Sequence, residues 1–99
     1  MNTMTGTDML ITAVEGGINH WASVEEYNPE GGKRFATISP LDDEGTYTVT
    51  AGDMSAAAKK VLTLYPNSVE AQDIRNDQID AGAADLIFQV ACFGKEVYA

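Results

Sequence analysis

Residues 18–50 read INHWASVEEYNPEGGKRFATISPLDDEGTYTVT, and this stretch decides the fold because it holds three strand-like segments and two turns. Alternating side chains and β-branched or aromatic residues predict strands at 18–27, 34–39 and 46–50. Gly, Pro, Asn and Asp predict turns at 28–32 and 42–45. Connections this short predict an antiparallel meander.

Helical segments are predicted on both sides of the meander. The first spans residues 8–15, with Thr7 as its cap and Gly16-Gly17 as its end. Apolar spacing predicts further helices at 54–65, 68–80 and 85–93, and leaves open whether 68–80 is one helix or two. The 99 residues are therefore predicted to form a single α+β domain. In it, an N-terminal helix and two to three C-terminal helices pack on a three-stranded antiparallel sheet.

The composition is strongly acidic. Fifteen Asp and Glu against six Lys and Arg give a formal charge of −9 and a pI near 4.2. Such a surface repels phosphate backbones and anionic lipid, so neither direct nucleic-acid binding nor membrane binding is expected. No apolar run approaches the ~20 residues that span a bilayer. A single cysteine and an N-terminus without signal-peptide character favour an intracellular, reducing location.

Three segments carry a resemblance to a known group of proteins. They are EGGINHWA at residues 15–22, TYTVT at 46–50 and ADLIFQVACFGK at 84–95. In this order they resemble a family of small uncharacterised actinobacteriophage proteins. The resemblance implies a phage accessory protein in the cytoplasm of the infected bacterial host. It supplies no activity, cofactor or catalytic residue.

The sequence shows no constellation for catalysis, metal or phosphate binding. His20 and Cys92 are the only residues of their types, too few for a zinc site, and Cys92 falls in the most apolar helix. The acidic residues 42–44 lack the ligand spacing of a calcium loop. Gly16-Gly17 and Gly31-Gly32 match no phosphate-binding fingerprint. We therefore predict no catalytic residue, no cofactor and no metal.

Acidic residues in the segment 68–80 form a candidate partner surface. On one continuous helix they would share a face, in a stripe about 15 Å long at ~1.5 Å rise per residue. These residues are Glu70, Asp73, Asp77 and Asp80. A row of carboxylates can imitate a phosphate track and occupy a basic groove. The alternative interpretation is a solvated helix face.

Aromatic residues on the first predicted strand form a second candidate surface. Alternation places Trp21 and Tyr27 on the same face. If the helices leave that face uncovered, these residues would contact a partner or a second copy in a homodimer. If it is covered, they belong to the core.

These observations favour a binding role over an enzymatic one. The preferred hypothesis is a non-enzymatic protein that modulates a host macromolecule, such as a protein with a basic surface, by nucleic-acid mimicry or counter-defence. The alternative is an oligomer that sequesters a small molecule or nucleotide, because Lys33-Arg34 beside a glycine turn are candidate anion ligands. A minor virion component and an enzyme built from carboxylates alone are further alternatives.

Overall fold

The computed structural model describes residues 5–98, in which four α-helices and three β-strands occur. In chain order the elements are α1 (Gly6–Thr12), a π-helical turn (Ala13–Gly17), β1 (Ala22–Asn28), β2 (Phe35–Pro40), β3 (Tyr47–Thr50), α2 (Ala51–Leu64), α3 (Val69–Arg75) and α4 (Ala81–Phe93). This confirms the predicted α+β class. Residues 1–4, which contributed to the expectation about a signal peptide, lie outside the described range.

The sheet is antiparallel, with β2 between β1 and β3. Ala36 and Ile38 are fully buried on one face, and Val49 of β3 lies directly opposite Ala36. Thr37 and Thr48 lie on the other face, where their hydroxyl oxygens are 2.8 Å apart. The predicted alternation along β2 and β3 is confirmed. The helices therefore cover one face, and threonine hydroxyls line part of the other.

The first strand begins four residues later than predicted. The Ile18 carbonyl accepts backbone N–H bonds from Trp21 at 3.0 Å and from Ala22 at 2.9 Å, so these residues close a turn. The prediction that residues 18–21 belong to the first strand was therefore wrong. The turn places Trp21 at the entrance to the sheet and leaves His20 on the surface.

A bulge in β1 also overturns the predicted position of Tyr27. The register with β2 shifts between Val24 and Glu26, so Glu25 is inserted without a counterpart. Tyr27 consequently lies opposite Ala36, on the covered face. Since β1 is an edge strand, its exposed glutamates also oppose pairing with another chain.

Reciprocal caps begin two of the helices. At the start of α2 the Thr50 hydroxyl accepts from the Asp53 N–H, and the Asp53 carboxylate accepts from the Thr50 N–H, both at 3.0 Å. The cap of α1 is the same motif, formed by Thr5 and Asp8. The prediction of Thr7 as the cap was wrong, because Asp8 occupies the third helical position and pairs with Thr5.

Gly16 and Gly17 do not end the first helix as predicted. The chain instead widens into the π-helical turn, and the Ile18 N–H reaches the Ala13 carbonyl at 3.0 Å. A Cβ on Gly17 would lie 2.8 Å from the carbonyl oxygen of Ala81. The glycine therefore permits the close approach of this turn to α4.

The segment 68–80 is not one continuous helix. α3 ends at Arg75, and Asp77 adopts a left-handed conformation with φ of 56°. A short polar side chain such as aspartate tolerates this conformation better than most others. The Asp80 carboxylate then accepts the Ala83 N–H at 2.9 Å and caps α4.

The core is built around α4. Ile87 and Phe88 of this strongly apolar helix are fully buried, and Gln89 is buried beside them. Leu10 of α1 and Met54 of α2 pack into the same apolar cluster. No helix of residues 5–98 has the length and apolar character that a bilayer crossing requires.

Candidate functional site

Asp85 on α4 is the centre of a hydrogen-bonded network that joins distant parts of the chain. Its Oδ1 accepts the indole N–H of Trp21 at 2.7 Å and an amide N–H of Gln89 at 3.0 Å. Its Oδ2 is 2.8 Å from Nε2 of His20. The Asp85 side chain is 15% exposed and that of His20 is 51% exposed. A mostly buried carboxylate thus orients a surface histidine.

The contact with Asp85 defines the tautomer of His20. The other two contacts of the carboxylate are with N–H donors, so we assign the shared hydrogen to Nε2 of the imidazole. Nδ1 has no hydrogen-bond partner within residues 5–98. In the neutral ring that nitrogen is an acceptor, available to a ligand.

Gln89 fastens the C-terminal segment to α4. Its amide oxygen accepts the backbone N–H groups of Val97 and Tyr98, each at 2.8 Å, and its nitrogen donates to the Tyr98 carbonyl at 2.8 Å. Gly94, with φ of 79°, ends the helix and allows the chain to turn back. Both the oxygen and the nitrogen of the buried Gln89 amide are therefore hydrogen-bonded, and these bonds hold Tyr98 in place.

Trp21 and four other aromatic rings form one cluster. The Tyr98 ring stacks on the indole, with centroids 4.9 Å apart and planes 7° apart. Phe88 and Phe93 pack at 6.2 and 5.7 Å from Trp21, and Tyr47 meets Phe93 edge-on. Trp21 is 3% exposed. It belongs to the core.

Tyr27 is half-buried on the covered face of the sheet. Its hydroxyl donates to Glu15 at 3.4 Å, and burial, followed by the Glu15 charge, raises its pKa. Neither Trp21 nor Tyr27 thus forms an uncovered aromatic face. The homodimer that an uncovered Trp21 would have favoured therefore has no exposed Trp21 to support it.

A shallow pocket of about 180 Å³ lies beside the Asp85 network. We call it the acidic–aromatic notch; its lining residues are His20, Trp21, Leu41, Asp42 and Tyr98. The Tyr98 hydroxyl donates to Oδ1 of Asp42 at 2.8 Å. Leu41 is 65% exposed, which leaves an apolar side chain beside a carboxylate at the surface.

Alkaline titration should identify Tyr98 among the tyrosines. The hydrogen bond to Asp42, then burial and nearby negative charge, raises the pKa of the Tyr98 hydroxyl from 10.0 to about 12. The contact therefore stabilises the fold fully below pH 10.0 and loses its contribution as the pH rises through about 12. We expect ultraviolet titration to show this late ionisation in the wild type and an earlier one in Asp42→Asn. The same late ionisation in both proteins would contradict the contact.

The predicted acidic stripe is not formed. Glu70 and Asp73 lie on α3, but Asp77 lies in the left-handed turn and Asp80 caps α4. The stripe required an unbroken helix, and the turn at Asn76 and Asp77 separates its two halves. A role of these four residues in partner binding stays a prediction.

The predicted anion ligands flank the first hairpin turn. Lys33 and Arg34 are exposed, after Gly31 with its φ of 90°. The Arg34 guanidinium donates to the Thr7 hydroxyl at 3.3 Å, which ties this arginine to α1. Anion binding at this turn stays a prediction.

Cys92 is half-buried near the end of α4 and behaves as a small apolar residue. Burial, followed by the charge of Asp53, raises the pKa of its thiol to about 12, so the thiol stays protonated at neutral pH. A pocket of about 120 Å³ between α2 and α4 includes Asp53 and Lys60 in its lining. Among residues 5–98, no three His, Cys, Asp or Glu side chains are grouped closely enough to hold a metal ion.

The notch and the Asp85 network were not predicted from the sequence. The available signal was Asp85 followed by Gln89, two polar residues one helical turn apart in an otherwise apolar helix. Polar residues in such a setting are usually buried with hydrogen-bond partners. That pattern could have drawn attention to α4, although it could not have named His20 or Trp21.

No protein-family model, curated protein or solved structure matches this chain. The resemblance to actinobacteriophage proteins therefore stays a prediction.

Proposed function

We propose that this chain is a non-enzymatic binding protein that modulates a macromolecule with a basic surface. On the phage interpretation, the partner is a host protein. The observation that carries the proposal is the distribution of charge. Most carboxylates of residues 5–98 are exposed. Asp77 aside, none of those carboxylates forms an ion pair with Lys or Arg.

Unpaired surface carboxylates have a longer-range effect than paired ones. Their potentials add, attract a basic partner from a distance and repel nucleic acid and anionic lipid. The charge of −9 includes the exposed turn Asp42–Glu44 and the glutamates of the β1 bulge. A basic protein is therefore the partner class that this surface favours.

Salt dependence tests the proposal. We expect tagged protein to capture a basic host protein from actinobacterial lysate at low salt and to lose most of it at ~1 M salt, where the screening length falls to ~3 Å. Two double variants, each lacking two negative charges, locate the contact. Glu25→Gln/Glu26→Gln removes charge from the β1 bulge, and Glu30→Gln/Glu44→Gln removes it from the turns. At least one of them should weaken capture. Capture that survives high salt, or no capture at either salt, would contradict an electrostatic role.

The nucleotide-sequestering alternative receives no support from the notch. Pockets for drug-sized ligands usually measure roughly 300–1,000 Å³, whereas the notch measures about 180 Å³. Native mass spectrometry checks this alternative directly, because a sequestering protein would retain its ligand.

A further inference from the structure

We infer that the acidic–aromatic notch is a recognition site for a single arginine side chain on a partner protein. This inference rests on the proposed function, since it names the group through which a basic partner is recognised. It differs from that proposal in assigning the contact to one pocket.

The notch has room for a single side chain of a partner. A volume of about 180 Å³ is too small for a nucleotide or a packed helix. The pocket is open at the surface, and Leu41, 65% exposed, forms part of its wall. A long side chain can therefore enter from a partner while its backbone stays outside.

The polar groups of the notch select a donor-only cation. Oδ1 of Asp42 accepts from Tyr98, whereas Oδ2 has no hydrogen-bond partner within residues 5–98. His20 offers Nδ1 as a second acceptor, because Nε2 is engaged by Asp85. Asp43, the next residue in the same exposed turn, adds negative charge. A guanidinium has five donors and no acceptor, which complements this set.

The walls of the notch favour arginine over lysine. The lining residues Tyr98 and Leu41 carry apolar groups beside the Asp42 carboxylate, and Leu41 is 65% exposed. Guanidinium is planar, weakly hydrated and stacks on such surfaces, whereas an ammonium is compact and strongly hydrated. The aliphatic stem of arginine would cover Leu41.

The site is held in position before any ligand arrives. Tyr98 orients Asp42, the Trp21 stack and Gln89 hold Tyr98, and Asp85 holds His20. A preorganised site loses little side-chain entropy on binding. The positions of the lining residues His20 and Tyr98 therefore depend on hydrogen bonds and packing in the core.

The test uses the full chain and the probe N-acetyl-arginine methylamide, with its lysine and citrulline counterparts. We expect saturable NMR shifts centred on His20 and Tyr98. Because a charge-assisted hydrogen bond is lost, citrulline should bind about tenfold more weakly than arginine. Asp42→Asn should weaken arginine binding by a similar factor. The control Glu44→Gln, which removes the same charge from the same turn, should stay within about twofold.

Three results would overturn the inference. These are shifts spread over the acidic surface without saturation, equal affinity for lysine and arginine, and equal effects of Asp42→Asn and Glu44→Gln. Leu41→Ser provides a second variant at an exposed position and should also weaken arginine binding. If lysate capture is salt-sensitive but unaffected by Asp42→Asn, the proposed function stands and the notch assignment fails. If arginine binds the notch but no basic partner is captured, the proposed function fails.

Discussion

Replacing Asp85 with alanine is expected to lower the free energy of unfolding by about 3–5 kcal/mol. The substitution removes one carboxylate that accepts from Trp21 and Gln89 and contacts His20. The Trp21 N–H would lose its partner while the ring stays buried, and an unsatisfied buried donor carries its full desolvation cost. Urea unfolding followed by the fluorescence of the single tryptophan measures the change.

Two further variants separate the hydrogen bonds of Asp85 from its charge. Asp85→Asn retains an acceptor for Trp21, so its cost should be smaller than that of alanine. Glu44→Ala removes the same charge from an exposed turn and should stay within about 0.5 kcal/mol of the wild type. Equal stability of Asp85→Ala and wild type would show that the network does not support the fold.

Replacing Gly6 with alanine is expected to cost about 2–3 kcal/mol, because the new methyl group has no space. Gly6 is buried at the start of α1, against the start of α2. An added Cβ would overlap the backbone carbonyl oxygen of Ala51 and lie 2.6 Å from the Ser55 hydroxyl oxygen. Backbone cannot rotate away as a side chain can, so the two helices would have to separate. Thermal and urea unfolding would measure the loss.

Gly16→Ala is the matched control for this prediction. The nearest atom to a Cβ on Gly16 is the Ala81 methyl carbon at 3.9 Å, an ordinary contact. We expect a change within about 1 kcal/mol, since alanine also restricts the unfolded chain. Similar losses for both variants would indicate a general intolerance of alanine, and the contact with Ala51 would then not be the cause.

Local chemistry made much of the fold predictable. The Thr50–Asp53 cap involves residues three apart, and the alternation along β2 and β3 depends on neighbouring side chains. The wrong predictions concern places where neighbouring residues allow two alternative local arrangements. Asp8 pairs with Thr5 although Thr7 adjoins it, and the inserted Glu25 reverses the face of Tyr27.

The candidate site could not be predicted in the same way. His20 and Asp85 are 65 positions apart, and the stacked pair Trp21 and Tyr98 is farther apart still. The acidic stripe shows the opposite failure. Its spacing was correct for a helix, but the left-handed Asp77 interrupts that helix.

By itself the sequence determined the α+β class, the order of the elements, the acidic charge and the apolar character of α4. These properties depend on composition and on periodicities a few residues long. Only the tertiary structure decided that Asp85 joins His20, Trp21 and Gln89 and that Tyr98 closes over the indole. The physical reason is that such contacts depend on how α4 and the C-terminal segment dock against the turn before β1. That docking results from packing the whole core at once.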